Sequence, residues 1–219
     1  VYSKRRYAIF CNYETAQIRL KWFDSGFRLL ILLVFWFIGG FNWLNNLVAD
    51  LGFGVVISGL IYGAVILWVS FIFEIPFKYY YTFGIEQKYG FNRTNLKTFI
   101  MDRVKGFILI SILGAVLFGI LIWFFSKNYA LSWLWCWLVL CAVMLLIQWL
   151  VPNVIMPLFN KFSFLPEGEL RDLIFSYAKK LNFSIKDVYI MDGSKRSSKL
   201  NAFVSGLGKN RRVVLYDTL

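Results

Sequence analysis

The chain has 219 residues, of which 59% are apolar, 20% are aromatic and 16% are charged. About a quarter of the residues of a soluble domain are charged, so this composition excludes an ordinary soluble protein and indicates a membrane protein. The net charge is +12, but the basic residues lie between long apolar runs, which favours a role in membrane topology over nucleic-acid binding. We therefore expect a lipid bilayer, and no nucleic acid, as a partner.

The residues that most often carry catalysis are scarce. The chain has no histidine and three cysteines, which excludes a Ser-His-Asp triad and a histidine-based zinc site. The cysteines lack the spacing of a metal or redox motif. A Ser/Lys pair within Ser194 to Lys199 is set aside, because common loop residues in a basic segment explain that cluster. The residues themselves thus assign no catalytic and no metal-binding position to this chain.

Four apolar segments are long enough to cross a bilayer as helices, which takes about 20 residues each. The predicted spans are Leu29 to Val48, Phe53 to Phe73, Gly106 to Phe125 and Tyr129 to Val151. The first is interrupted by Gly39-Gly40 and by three asparagines. We expect an α-helical multi-pass membrane protein.

Lys and Arg are distributed unevenly among the segments that connect these spans. They are abundant before the first span, in Glu74 to Arg103 and after Pro152. The turn after the first span has Asp50 as its only charged residue, and the turn after the third span has only Lys127. Basic residues collect on the cytoplasmic side of a membrane. The pattern therefore predicts that both ends of this chain and the long connection are cytoplasmic.

The connection Glu74 to Arg103 is patterned enough to fold. Pro76 predicts a helix break or kink, Gly90 to Asn92 predicts a turn, and Thr94 is a candidate N-cap for a second helix. That helix would have an apolar face of Leu96, Phe99, Ile100 and Val104.

Beyond Pro152 the composition becomes that of a soluble α+β domain, so we divide the chain into a membrane domain, 1–152 with its connection 74–105, and an incomplete domain, 153–219. Pro166 to Glu169 predicts a helix start. Val188 to Met191, Asn201 to Ser205 and Arg211 to Asp217 predict strands, the last two joined by Gly206 to Asn210. The apolar stripe of the helix consists of Leu170, Leu173, Ile174, Tyr177, Ala178 and Leu181. One helix and three strands leave an apolar face uncovered, so we expect more protein to follow.

Two basic clusters in this domain allow two interpretations. Lys195-Arg196 and Lys209-Arg211-Arg212 are suited to phosphates or anionic lipid headgroups. They are equally explained as a cytoplasmic surface under the bias of basic residues toward that side.

Five ordered motifs resemble the type I CaaX prenyl endopeptidases, integral-membrane zinc metalloproteases related to the heat-shock membrane proteases of bacteria. The resemblance covers Phe53 to Leu219, and Val1 to Asp50 matches only loosely. The motifs are Phe83-Gly-Ile-Glu-Gln-Lys-Tyr-Gly-Phe-Asn92, Pro157-Leu-Phe-Asn-Lys-Phe162, Pro166-Glu-Gly-Glu-Leu170, Asp192-Gly-Ser-Lys-Arg-Ser-Ser198 and Arg211-Arg-Val-Val-Leu-Tyr-Asp-Thr-Leu219.

The resemblance implies a zincin-like protease domain and hydrolysis of peptide bonds by a zinc-activated water. In such enzymes a further span precedes the position of Val1, and the H-E-x-x-H helix follows that of Leu219. This chain would then hold none of the zinc ligands and be inactive alone. Membrane-associated or CaaX-type peptides, prenylated or not, are the expected substrates, at the bacterial inner membrane or the endoplasmic reticulum.

The resemblance also implies a substrate-binding strand at the sheet edge beside the cleft. Its residues here are Asn201, Ala202, Phe203, Val204 and Ser205. Lys199-Leu200 and Phe203-Val204 depart from the His-Ser and Tyr-Phe of the prenyl proteases, and Asn-Ala-Phe is more similar to the bacterial branch. An alternative function is a catalytically inactive relative that serves as a membrane scaffold or quality-control adaptor.

Overall fold

The computed structural model describes residues 4–127, 131–206 and 208–219, without the side chains of Arg5, Arg6 and Lys209. The chain forms two compact units. The first comprises Val1–Asn92 and Ile100–Trp137, and the second comprises Arg93–Phe99 and Leu138–Leu219.

The first unit begins with two helices that meet at a sharp bend. Helix α1 spans Lys4–Phe37 and α2 spans Gly40–Ala49, and their axes differ by 65°. Gly39 between them has a φ of +75°, a left-handed conformation that breaks the helix and that glycine adopts without steric cost. The interruption that the sequence shows at Gly39-Gly40 is thus a helix break, and the predicted span Leu29 to Val48 is a bent pair of helices rather than one straight helix.

Helix α3 spans Val55–Tyr79 and continues directly into a π-helical segment, Tyr80–Glu86. Pro76 lies inside α3, so of the predicted break or kink at Pro76 the break is wrong and the kink stays a prediction. The missing N–H of a proline removes one helical hydrogen bond. The helix nevertheless continues past Pro76, and the N–H of Tyr80 donates to the carbonyls of both Pro76 and Phe77. The turn predicted at Gly90 is confirmed by its φ of +76°.

Helix α4 spans Leu96–Ser126. Its cap is Asn95, whose Oδ1 accepts a hydrogen bond of 2.7 Å from the N–H of Thr98. The predicted cap, Thr94, is wrong by one position, because the Thr94 hydroxyl donates instead to the carbonyl of Arg196 at 3.1 Å.

Helix α5 spans Ser132–Leu150 and is followed by a π-helical segment, Val151–Ile155, and a short helix α6, Met156–Phe159. The predicted start of this span, Tyr129, lies outside the described residues. Three helical segments, Val55–Glu86, Leu96–Ser126 and Ser132–Phe159, are long and apolar enough to cross a membrane, and the bent pair α1 and α2 brings the number to four if it forms one span. The predicted multi-pass helical fold is confirmed.

The second unit contains a four-stranded sheet in the order β1-β2-β4-β3. Strands β1, Phe162–Phe164, and β2, Asp187–Met191, pair antiparallel. Strand β4, Arg212–Tyr216, is parallel to β2 and antiparallel to β3, Ala202–Ser205. The three predicted strands are confirmed. Strand β1 was not predicted, because three residues are too few to establish an alternating pattern.

Helix α7, Glu169–Lys180, has acidic residues in its first turn and Lys179 and Lys180 in its last, as predicted. Arg171 ties it to the sheet through an ion pair of 3.0 Å with Asp187. Ala178 is buried, together with Val188 and Val214 of the sheet. Four residues of the predicted apolar stripe are nevertheless 54–65% exposed, namely Leu170, Leu173, Tyr177 and Leu181.

Candidate substrate-binding strand and its supporting loop

Strand β3 lies at one edge of the sheet. Ala202 to Ser205 are extended and pair with β4, the only strand beside them in the described part of the chain. Phe203 lies opposite Val214 and Ser205 opposite Arg212. The predicted strand Asn201 to Ser205 thus has one side occupied by β4 and the other side open.

The register shows which backbone groups of β3 face the open side. The N–H of Tyr216 donates to the carbonyl of Asn201 at 3.0 Å, so this pair is hydrogen-bonded. Hydrogen-bonded and non-bonded pairs alternate along an antiparallel ladder. Phe203 therefore bonds to β4, whereas the N–H and C=O groups of Ala202 and Val204 point away from β4.

The side chains of β3 alternate between the two faces of the sheet. Ala202 is exposed and Val204 is 52% exposed. The Phe203 ring lies on the other face, in edge contact with the Tyr216 ring at a centroid distance of 6.3 Å. Asn201 is placed at the start of the strand, where its Oδ1 accepts a hydrogen bond of 2.9 Å from the N–H of Ala202.

The loop Asp192 to Ser198 fixes the start of β3. The Asp192 carboxylate accepts a hydrogen bond of 2.7 Å from the N–H of Lys161. Gly193 begins a 3₁₀ turn beside the Tyr216 ring, and a Cβ on it would lie 2.4 Å from Cδ2 of that ring. Glycine at this position thus allows the loop to lie directly against the residue that also contacts Phe203.

Two side chains of this region tie the loop to the end of β4. Both the N–H and the hydroxyl of Ser194 donate to the carboxylate of Asp217, the N–H at 2.7 Å. The Thr218 hydroxyl donates to the carbonyl of Lys199 at 2.9 Å. These bonds give Ser194 a structural role, which explains it without a Ser/Lys pair.

Arg196 is a structural residue that the sequence did not single out as one. Its guanidinium donates to Asn160 Oδ1 at 2.7 Å and to the carbonyl of Phe159 at 2.6 Å. Its own carbonyl accepts hydrogen bonds from the N–H of Arg93 and from the Thr94 hydroxyl. The only sequence signal was its position in the motif Asp192 to Ser198. The phosphate-binding interpretation of Lys195-Arg196 is thus disfavoured, because the Arg196 side chain already has partners.

The described residues do not fit a zinc ion. Residues 4–127, 131–206 and 208–219 contain no group of three or more His, Cys, Asp or Glu that would hold a metal, and the chain has no histidine. Cys136 is buried, and Cys11 and Cys141 are partly buried. No catalytic step through a metal follows from the residues of this chain.

The chain matches two protein families. Residues 1–161 match the family described as CAAX prenyl protease N-terminal, five membrane helices, and residues 165–219 match peptidase family M48. The chain belongs to this membrane protease family. The match starts at residue 1, so it extends to Val1 to Asp50, ahead of the segment from Phe53 that the resemblance covered.

Relatives named CAAX prenyl protease 1 are similar over most of this chain. The homolog from Dictyostelium discoideum is 35% identical over 215 residues, which covers 95% of this chain and 50% of that protein. The homolog from Oryza sativa subsp. japonica is 42% identical over 155 residues, 71% of this chain and 36% of that protein. The crystal structure of S. mikatae Ste24p matches with a TM-score of 0.86 and 31% identity over 95% of this chain and 50% of that one.

This chain therefore spans about half, or less, of the length of these relatives. Its membership establishes a multi-pass integral membrane protein of a metalloprotease family, and the resemblance found in the five motifs is confirmed.

Proposed function

We propose that this chain is part of a membrane-embedded zinc metalloendopeptidase that cleaves membrane-associated or CaaX-type peptides. The family match and the relatives named CAAX prenyl protease 1 support this function. The zinc ligands and the catalytic base would come from residues outside this chain, since none of its described residues forms a metal site. This chain would contribute membrane anchorage and substrate binding.

The observation that carries the proposal is the open edge of β3. The C=O groups of Ala202 and Val204 and the N–H of Val204 point away from β4, whereas the N–H of Ala202 donates to Asn201 Oδ1. An extended peptide pairs with such outward groups by adding a strand to the sheet. Hydrogen bonds to the main chain of β3 would bind peptides of many sequences, whereas the side chains of Phe203 and Val204 would determine which of these peptides bind well. Asn201 to Ser205 is thus the proposed substrate-binding segment.

The substrate class rests on the names of the relatives from Dictyostelium discoideum and Oryza sativa subsp. japonica, both called CAAX prenyl protease 1 homolog. We extend that class to this protein and include prenylated peptides, although Lys199-Leu200 and Phe203-Val204 differ from the prenyl-protease pattern. We also propose a cytoplasmic location for both ends of this chain, and a functional division at residue 152, from the distribution of basic residues.

Proline at position 204 is the sharpest test of this function in the full-length protein. Val204→Pro removes the outward N–H but no hydrogen bond to β4, and an edge strand tolerates proline. We expect KM for a CaaX peptide to rise about tenfold, because the variant loses one main-chain hydrogen bond to the peptide. Val204→Thr keeps the N–H and the shape, and we expect it to retain near-normal activity.

Each outcome of this test has a distinct meaning. Thermal melting establishes whether Val204→Pro folds, and Phe203→Pro, which breaks the ladder with Val214, shows the effect of a damaged sheet. A folded Val204→Pro with unchanged KM would overturn the substrate-strand role. A wild-type protein that cleaves neither prenylated nor unprenylated CaaX peptides would favour the alternative, an inactive membrane scaffold or quality-control adaptor, which the absence of histidine from this chain keeps open.

A further inference from the structure

A cavity of about 280 Å³ lies in the second unit, at the end of α5. The helix and the segment after it contribute Gln148, Trp149, Pro152 and Asn153, and the sheet region contributes Lys186, Tyr189, Gly206, Asn210 and Arg212. The lining thus combines two cations, three amide side chains and two aromatic rings. No function described above uses this cavity.

The two cations of the cavity have no acidic partner in the part of the chain that the structure describes. Among residues 4–127, 131–206 and 208–219, no carboxylate lies within ion-pair distance of Lys186 or Arg212. Arg212 donates one hydrogen bond, to Asn153 Oδ1, and its guanidinium lies 5.6 Å from the centre of the Tyr189 ring. A guanidinium has five N–H donors, so most of the hydrogen-bonding capacity of Arg212 remains for an anion.

The position of the cavity indicates where the anion comes from. Leu145, Gln148, Trp149 and Pro152 follow each other at the three- and four-residue spacing that aligns side chains on one side of a helix. Leu145 is 64% and Trp149 57% exposed, on a helical segment that is long and apolar enough to span a membrane. An exposed apolar row of Leu145 and Trp149 therefore leads to a cationic cavity, and tryptophan is enriched at the depth of lipid headgroups.

We propose that this cavity binds the phosphate of an anionic membrane lipid, with Arg212 and Lys186 on the phosphate and the acyl chains along the Leu145–Trp149 row. Arginine binds phosphate oxygens in a bidentate manner, and amide groups such as Asn210 and Gln148 donate to the remaining oxygens. A free phosphate would satisfy the same cations but gain nothing from the apolar row. This inference goes beyond the proposed protease function, since it holds for an active enzyme and for an inactive scaffold alike.

Native mass spectrometry of the full-length protein in detergent tests this site, with phosphatidylserine as the anionic lipid and phosphatidylcholine as the reference. We expect the wild type to retain phosphatidylserine in preference to phosphatidylcholine. Arg212→Gln should lower that retention about tenfold, because a charge-assisted hydrogen bond is lost. Lys186→Gln should lower it less, and Arg212→Lys should restore part of the loss.

Lys179→Gln provides the matched control, since it removes one positive charge from an exposed position on α7. Its lipid retention should equal that of the wild type, and the melting temperature of each variant shows that it is folded. The proposal is overturned if a folded Arg212→Gln protein retains as much phosphatidylserine as the wild type does. It is also overturned if the wild type retains both lipids equally. If inorganic phosphate alone stabilises the wild type as much as phosphatidylserine does, the ligand is not a lipid and the proposal is overturned.

Discussion

The Tyr13 hydroxyl of α1 donates a hydrogen bond of 3.3 Å to Oε1 of Glu86, which lies 73 positions later in the chain. Tyr13 is 3% exposed, and its ring is in edge contact with the rings of Tyr89 and Phe91. The carbonyl of Glu86 accepts hydrogen bonds from the N–H groups of Phe91 and Asn92. Glu86 thus joins α1 to the turn of the motif Phe83–Asn92, which explains a carboxylate in that motif structurally.

The first prediction concerns this hydrogen bond. Tyr13→Phe keeps the ring contacts and removes a hydrogen bond to a half-buried carboxylate, so it should lower the free energy of unfolding by about 1–3 kcal/mol. Thermal melting of the purified protein in detergent would measure the change. Tyr7→Phe, at a position 64% exposed, is the control and should melt as the wild type does. Identical melting of all three proteins would mean that the Tyr13–Glu86 bond contributes nothing to stability.

The second prediction concerns the loop behind β3. Gly193→Ala would place a Cβ 2.4 Å from the Tyr216 ring, so that ring must move, and its contact with Phe203 moves with it. We expect a loss of about 1–3 kcal/mol, as for other overpacked sites, together with reduced peptide binding. Gly168→Ala has open space around its Cβ and should change neither. A Gly193→Ala protein with wild-type melting and binding would show that the loop adapts freely.

The sequence predicted those parts of the fold that depend on long apolar runs or on a clear strand pattern. Val55–Glu86 and Leu96–Ser126 are long, strongly apolar helical segments, and such a signal does not depend on local detail. The parts it missed depend on tertiary contacts. Thr94 and Asn95 are both good caps by residue type, and the carbonyl of Arg196, 102 positions away, decides between them by accepting the Thr94 hydroxyl.

The candidate site was predictable only by resemblance. Nothing in the residues Asn201 to Ser205 distinguishes an edge strand from a central one, because their pattern is short and its pairing partner lies across a turn. Strand order places β3 outside β4, and that order results from the parallel pairing of β2 with β4. Long-range pairing of this kind leaves no local sequence signal, so the open edge emerges only from the structure.

The third prediction concerns membrane orientation. The alternation of basic segments predicts that Val1 to Arg28, Glu74 to Arg103 and Asn153 to Leu219 share the cytoplasmic side. In a protein with its three cysteines replaced, a cysteine at Arg93 should react with an impermeant reagent only from the inside, and one at Lys127 only from the outside. Strong outside labelling at Arg93 would contradict the proposed orientation.

The fourth prediction concerns the metal. The 219-residue chain alone should retain no stoichiometric zinc after dialysis, as measured by elemental analysis, because three cysteines and no histidine cannot supply a His₂Glu site. It should also hydrolyse no CaaX peptide. If this chain binds zinc tightly, or if its hydrolytic activity survives further purification, then residues to which we give a structural role take part in catalysis, and the prediction is wrong.

The fifth prediction separates the two ways in which β3 would act on a substrate. Phe203 bonds to β4 through its backbone, so Phe203→Ala keeps the strand and its open edge while it removes the ring that contacts Tyr216. A truncated pocket side chain changes discrimination between substrates by about 10- to 200-fold in kcat/KM. We therefore expect Phe203→Ala to alter the ranking of CaaX peptides that differ in one side chain, whereas Val204→Pro should weaken all of them alike. Parallel kcat/KM measurements of both variants on one peptide panel would show this contrast, and a uniform loss with Phe203→Ala would mean that its ring only supports the strand.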